Sequence, residues 1–182
     1  MSYRTLTDDE IRKLEEQGCT ADDWQRLQVL EPFITDHIIN VRFSGDIRIG
    51  RLQGEHHLEG GYSVSSGLRD SALHNCTVAD NVYIDHLCFA ANIDFESHSE
   101  VRNVDVLAVN GETTFGNGLE LEVMNEAGGR SLPMFDRLSA QIAYMLVFYR
   151  HDKELIEKLT AMIDAYVKNR SGNRGRVGFQ SK

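Results

Sequence analysis

The chain has 182 residues, 41% of them hydrophobic, and a formal net charge of −9. That length holds one or two domains, and the acidic balance excludes the basic face of a nucleic-acid binder. No apolar run approaches the roughly 18 residues of a membrane span, so neither nucleic acid nor membrane is an expected partner.

Residues 1–30 read as a helical cap. Thr7 is placed as an N-cap with Glu10 three residues on, the pattern of a capping box. Ile11 and Leu14 follow, and Gly18 supplies the stop. A second short helix is expected around Asp22-Asp-Trp24, with Trp24 and Leu27 as its apolar stripe. The N-terminus turns acidic at once and lacks the apolar core of a signal peptide. Three scattered cysteines, Cys19, Cys76 and Cys88, read as free thiols of a reducing cytoplasm.

Residues 31–125 carry a recurring pattern of an apolar residue, turn-formers, then apolar–any–apolar. It starts at Phe43, Leu58, Val78, Phe95 and Phe115, at intervals of 15, 20, 17 and 20 residues. An average near eighteen is three hexapeptides, and a fixed period with turn residues at a fixed phase is a solenoid signature. The expected fold is therefore mainly β, a left-handed parallel β-helix of about five three-sided coils. Asn75, Asn81, Asn92, Asn103, Asn110 and Asn117 are placed as corners tolerant of left-handed backbone, and His98 occupies an equivalent slot.

The pattern stops near Asn125-Glu-Ala-Gly-Gly-Arg130, and residues 126–170 read as a loop and a helical hairpin. Pro133 suits a first helical turn. The run Ile142–Tyr149 is apolar nearly all round and is expected to be covered on two sides. Asp152 is the N-cap of a second helix with a stripe through Leu155, Leu159, Ile163 and Tyr166. Residues 171–182 form a tail with two readings: a solvated basic end, or, in Val177-Gly-Phe-Gln-Ser-Lys, the opening of a further repeat.

Several stretches together resemble a bacterial family known only as a domain of unknown function. They include Arg4-Thr-Leu-Thr, Asn40-Val-Arg-Phe-Ser-Gly45, Leu73-His-Asn75, Phe115-Gly-Asn-Gly118, Asn125-Glu-Ala-Gly-Gly-Arg130, Leu138-Ser-Ala140 and Tyr149-Arg-His151. The family's members are longer hexapeptide-repeat proteins, loosely labelled as related to UDP-N-acetylglucosamine pyrophosphorylase. The resemblance implies a left-handed β-helix with a further C-terminal repeat region, and little about chemistry. The nucleotidyl-transfer label itself needs a Gly-rich phosphate loop with a basic residue, and no such loop occurs in these residues.

Two readings of function stay open. As an enzyme, the chain is acyltransferase-like or sugar-nucleotide-related and acts on a sugar or nucleotide-sugar, with His74 as general base because imidazole titrates near neutrality. Asn75 then orients the substrate. Glu126 and His151 join as acid–base groups, and Asn125, Gly128, Gly129, Arg130 and Tyr149 line the binding site. Arg130 suits a carboxylate or phosphate, and the Gly–Gly pair permits close backbone approach. As a module, the chain binds or oligomerises without catalysis, and is trimeric by analogy with β-helix proteins. The pattern asks for no cofactor and no metal. Glu55-His-His57 puts its imidazoles on opposite strand faces, and His74, His86 and His98 fall on different coil faces. Cys76 and Cys88 are expected to be inert filling.

Overall fold

The computed structural model describes residues 2–122 and 131–178, which divide into two compact units, 1–110 with 174–182 and 111–173.

In the first unit, β1 (Arg4–Thr5) leads into α1 (Asp8–Glu16). Thr7 caps α1 with a complete capping box, its hydroxyl accepting from Glu10 N while Glu10 accepts from Thr7 N. Arg4 reaches the same carboxylate at 2.7 Å. That ion pair and the Thr7 contacts hold the Glu10 carboxyl down at about 2. Leu14 alone on α1 is fully buried. The second helix expected near Trp24 is only a 3₁₀ turn, Trp24–Arg26, between two short strands, β2 (Thr20–Ala21) and β3 (Leu27–Val29).

The chain then runs through β4 (Ile38–Ser44), β5 (Ile47–Ile49), β6 (Glu55–His57), β7 (Ser63–Ser65) and β8 (Gly67–His74). It continues as β9 (Thr77–Val78), β10 (Tyr83–Ala91), β11 (Ile93–Phe95) and β12 (Glu100–Ala108). The second unit contains β13 (Glu120–Glu122), β14 (Ser131–Pro133), α2 (Ala140–Phe148) and α3 (Lys153–Arg170). The chain returns to the first unit as β15 (Gly175–Val177).

These strands form a six-stranded sheet in the order β1-β3-β5-β9-β11-β15 and a five-stranded sheet in the order β12-β10-β8-β4-β2. All neighbours are parallel except β1 and β3. Antiparallel pairs β6–β7 and β13–β14 stand apart. The inward residues of both large sheets, among them Leu27, Ile49, Phe43, Leu73, Ile84 and Phe95, share one core and are almost wholly buried. Each such side chain contributes about 1.5–3 kcal/mol.

This is an α/β fold, and the left-handed parallel β-helix expected from the repeat is corrected. The five motif residues do not line one edge. Phe43 lies in the five-stranded sheet, and Val78 and Phe95 in the six-stranded one. Leu58 opens the β6–β7 turn, its N–H donating to Tyr62 O. Phe115 is half exposed in the second unit. Nor do the pairings keep an eighteen-residue beat. In-register partners are 16 residues apart at Gly67↔Tyr83 and 17 at Tyr83↔Glu100, but 30 apart at Ile38↔Leu68 and 82 apart at Ile93↔Gly175. The physical reason is that apolar–turn–apolar is the signal of any short strand entering a turn. It occurs equally in a hairpin, so its recurrence fixes turns without fixing which strands pair.

Corner residues fared better. Asn75, Asn81, Asn92, Asn103 and His98 all have positive φ, between 51° and 62°, whereas Asn110 and Asn117 do not take the left-handed backbone expected of them. In the second unit Pro133 lies in a strand, not in a helix. The helix starts later, behind Ser139, whose hydroxyl accepts from Ile142 N. Asp152 caps α3 through Leu155 N. Leu132, Phe135, Leu146 and Ile163 make this unit's separate core.

Candidate functional site

The long strands of the five-stranded sheet each turn once through a left-handed residue: Asn40 in β4, Asp70 in β8, His86 in β10 and Asn103 in β12, with φ from 45° to 55°. Register puts them in one row. Ile39↔Arg69 and Val41↔Ser71 bracket the first pair, and Asp85↔Arg102 and Leu87↔Val104 bracket the last. Short polar side chains tolerate this backbone because they bond locally, which accounts for Asn, Asp and Asn at three of the four places. Asn40 Nδ2 donates to Asp70 Oδ1 at 2.6 Å. Between β8 and β10 the register slips at a bulge, and the Ser71 hydroxyl accepts the Leu87 N–H there.

Beside this row lies an open groove of about 400 Å³, lined in part by Gly18, Thr20, Asn40, Arg42, Asp70 and Cys88. Asp70, Asp85 and His86 bring one ligand atom each within 4.8 Å of one another, so they are the residues among those described that could hold a cation. His86 Nδ1 is 2.9 Å from Asp85 Oδ1, leaving Nε2 outward. The row is exposed at Asp70 and His86. Both strands flanking Asp85 present an arginine in register with it, Arg69 and Arg102, and that positive charge opposes a cation. Cys88 is exposed, so it does not fill the core as expected, whereas Cys76 is buried. Burial pushes the Cys76 and Cys19 thiols up, which makes them poor nucleophiles.

His74 is hydrogen-bonded at both ring nitrogens. Its Nε2 accepts from Asn75 Nδ2 at 3.0 Å, and its Nδ1 lies 2.9 Å from Ser44 Oγ. Asn75 is spent as well, since its Oδ1 accepts the Asp46 N–H at 2.9 Å. The pair ties β4, β8 and the turn at Gly45 together. The Glu55-His-His57 imidazoles do separate: His56 is buried and bonds Asn81 O, while His57 is exposed and bonds Ser63.

The second unit holds the other expected site residues. Asn125, Glu126, Gly128, Gly129 and Arg130 lie outside the described residues. Tyr149 and His151 face solvent, their rings stacked at 5.9 Å. Between them Arg150, itself exposed, donates from Nη2 to Ser131 O at 2.9 Å and from Nε to Leu146 O. It borders a cleft of about 340 Å³ that Glu120, Thr160 and Asp164 also line. Tyr166 is a hub missed in the sequence: its hydroxyl donates to Asp136 and accepts from Arg170 Nε, while Arg137 covers its ring. The only trace of it in the sequence is the i, i+4 spacing of Tyr166 and Arg170.

The helix expected to be covered on two sides is covered on one, where Ile142, Ala143, Leu146 and Val147 pack on the second unit's core. On α2 only Leu146 is buried, whereas Tyr144 is 54% and Phe148 64% exposed. Their rings lie 4.7 Å apart, and Tyr149 packs edge-on against Tyr144 at 6.0 Å. A shallow apolar groove runs beside them, lined by Gln141, Tyr144, Met145, Tyr149 and Leu155.

A family model described as Domain of unknown function (DUF4954) matches residues 3–182. An uncharacterized protein of Treponema pallidum (strain Nichols) is 26% identical over 191 residues, which cover 99% of this chain and 26% of that protein. The chain thus spans about a quarter of the length of the curated relative it matches. No solved structure matches. Neither comparison carries a hexapeptide repeat or a relation to a pyrophosphorylase. No described helix is long and apolar enough to cross a membrane.

Proposed function

Since the chain belongs to the family described as Domain of unknown function (DUF4954), a description that names no chemistry, we propose a role from its surface: a non-catalytic assembly module that self-associates through α2. The observation that carries this is the exposed aromatic set of Tyr144 and Phe148, on a nine-residue helix, Ala140–Phe148, that contains no charged residue, and Tyr149, its C-cap. Solvent-facing aromatics in mutual contact are costly in water and are typical of interface cores. A second copy is the fitting occupant. In an isologous contact the same uncharged face meets itself, so a chain of net charge −9 associates without placing like charges in the contact. The trimer expected by analogy loses its basis with the β-helix, and no subunit number is assigned.

Sedimentation velocity across about two decades of concentration near the micromolar range tests this. Self-association that Phe148→Glu and Tyr144→Glu abolish, with the circular dichroism spectrum unchanged, supports it. A monomer at every concentration, or assembly indifferent to both substitutions, sinks it. The acyl- or sugar-transferase reading has weaker support, because the imidazole it needs is bonded at both nitrogens. A thermal shift with acyl-coenzyme A or a UDP-sugar, lost in His74→Gln, would restore it.

A further inference from the structure

Several acids of the second unit are engaged within it. Glu154 accepts from Lys158 Nζ at 2.6 Å, Asp136 meets both Tyr166 and Arg170, and Asp152 caps α3. Glu120 and Asp164 are different. Both line the cleft of about 340 Å³ within this unit, and among the described residues neither has a hydrogen-bond or ion-pair partner. The contrast is sharpest at Asp164. Lys168 stands four residues on, the spacing at which acid and base pair on a helix surface, and Glu154 and Lys158 do pair at that spacing on the same helix. Asp164 and Lys168 do not.

The cleft has an apolar floor and an acidic end. Leu146 and Ile163 are buried core residues, and Ile156 packs against them. Along α3 the lining residues Ile156, Thr160 and Asp164 follow one another at intervals of a turn. They run from hydrocarbon through hydroxyl to carboxylate over about 12 Å of helix. Gly118 seats β13 against α3, since a Cβ there would stand 3.1 Å from Val167, three residues past Asp164. Glu120 follows two residues later. Arg150 fastens α2 to β14 along the wall through the carbonyl oxygens of Leu146 and Ser131.

We propose that this cleft binds a primary aliphatic amine, with the ammonium between Glu120 and Asp164 and the carbon chain laid toward Ile156. An ammonium has three N–H donors, which two carboxylates and the Thr160 hydroxyl satisfy. A quaternary ammonium offers none and is held instead by aromatic faces, and no described lining residue is aromatic. The floor of Leu146, Ile156 and Ile163 takes the methylenes. This goes beyond the α2 reading, because neither Tyr144, Phe148 nor Tyr149 lines this cleft.

Nuclear magnetic resonance titration of the 182-residue chain with butylamine, hexylamine and hexyltrimethylammonium tests it. Hexylamine should saturate, with shifts concentrated at the Thr160 and Asp164 amides. Affinity should rise on the order of threefold for each methylene between butylamine and hexylamine. Asp164→Asn and Glu120→Gln should each weaken hexylamine by about tenfold. Glu157→Gln, at an exposed acid of α3 outside the cleft, should leave it unchanged. No saturation by about 10 mM hexylamine, equal binding of the trimethyl compound, or affinity indifferent to both cleft substitutions overturns the proposal. An equal loss in Glu157→Gln overturns it too, since it marks general attraction to an acidic chain.

Discussion

Asn75 separates a structural reading of the His74–Asn75 pair from a catalytic one. Replacing it with alanine removes three things. One is a residue that tolerates φ of 51°; an ordinary L side chain in that region costs roughly 1–2 kcal/mol. The second is the acceptor for Asp46 N–H, and the third is the donor to His74 Nε2. Each such bond is worth about 0.5–1.5 kcal/mol net, toward the low end for Asp46, where water replaces the lost partner. Asn75→Ala is therefore expected to destabilise the first unit by about 2–4 kcal/mol. Asn75→Gly keeps the backbone freedom and loses only the two bonds, so it should recover about 1 kcal/mol of that. Urea unfolding followed by fluorescence of Trp24, which belongs to the same unit, reads both variants against the parent. Equal stability for all three proteins would refute the structural assignment and return Asn75 to the list of binding residues.

Gly67 has extended backbone, and a Cβ built on it would stand 2.4 Å from the carbonyl oxygen of His37. Gly67→Ala must move main chain and should cost about 1–3 kcal/mol or more, whereas Gly172→Ala meets nothing and should leave unfolding unchanged. Glu10 binds its proton with a folded pKa near 2 against an ordinary 4.5. Its contribution is full above pH 4.5 and lost as pH falls toward 2. The melting temperature of the parent should accordingly fall through that window more steeply than that of Glu10→Gln, and parallel curves would contradict this. Ellman's reagent should titrate the exposed Cys88 quickly and Cys19 and Cys76 only on unfolding; three thiols reacting at one fast rate would not fit the buried pair.

Local chemistry was legible in the sequence. The Thr7–Glu10 capping box, the Asp152 cap and the Asn corners are set by groups within a few residues of each other. Any fold containing these segments has to satisfy them in the same way. The site was far less legible. His74 and Asn75 bond each other, but most of what engages them is distant in sequence. Their partners Ser44 and Asp46 arrive from some thirty residues away.

The alternation of short strands and turns is thus what the sequence determined, because turn residues and apolar periodicity act over four to eight residues. Only tertiary structure decided which strands adjoin, since β15 reaches β11 across the whole second unit and pairing depends on register with a distant backbone. It also decided that α2 would keep its aromatics in water. The same apolar run fits a buried helix and an interface helix equally well, and the difference lies in what packs against it.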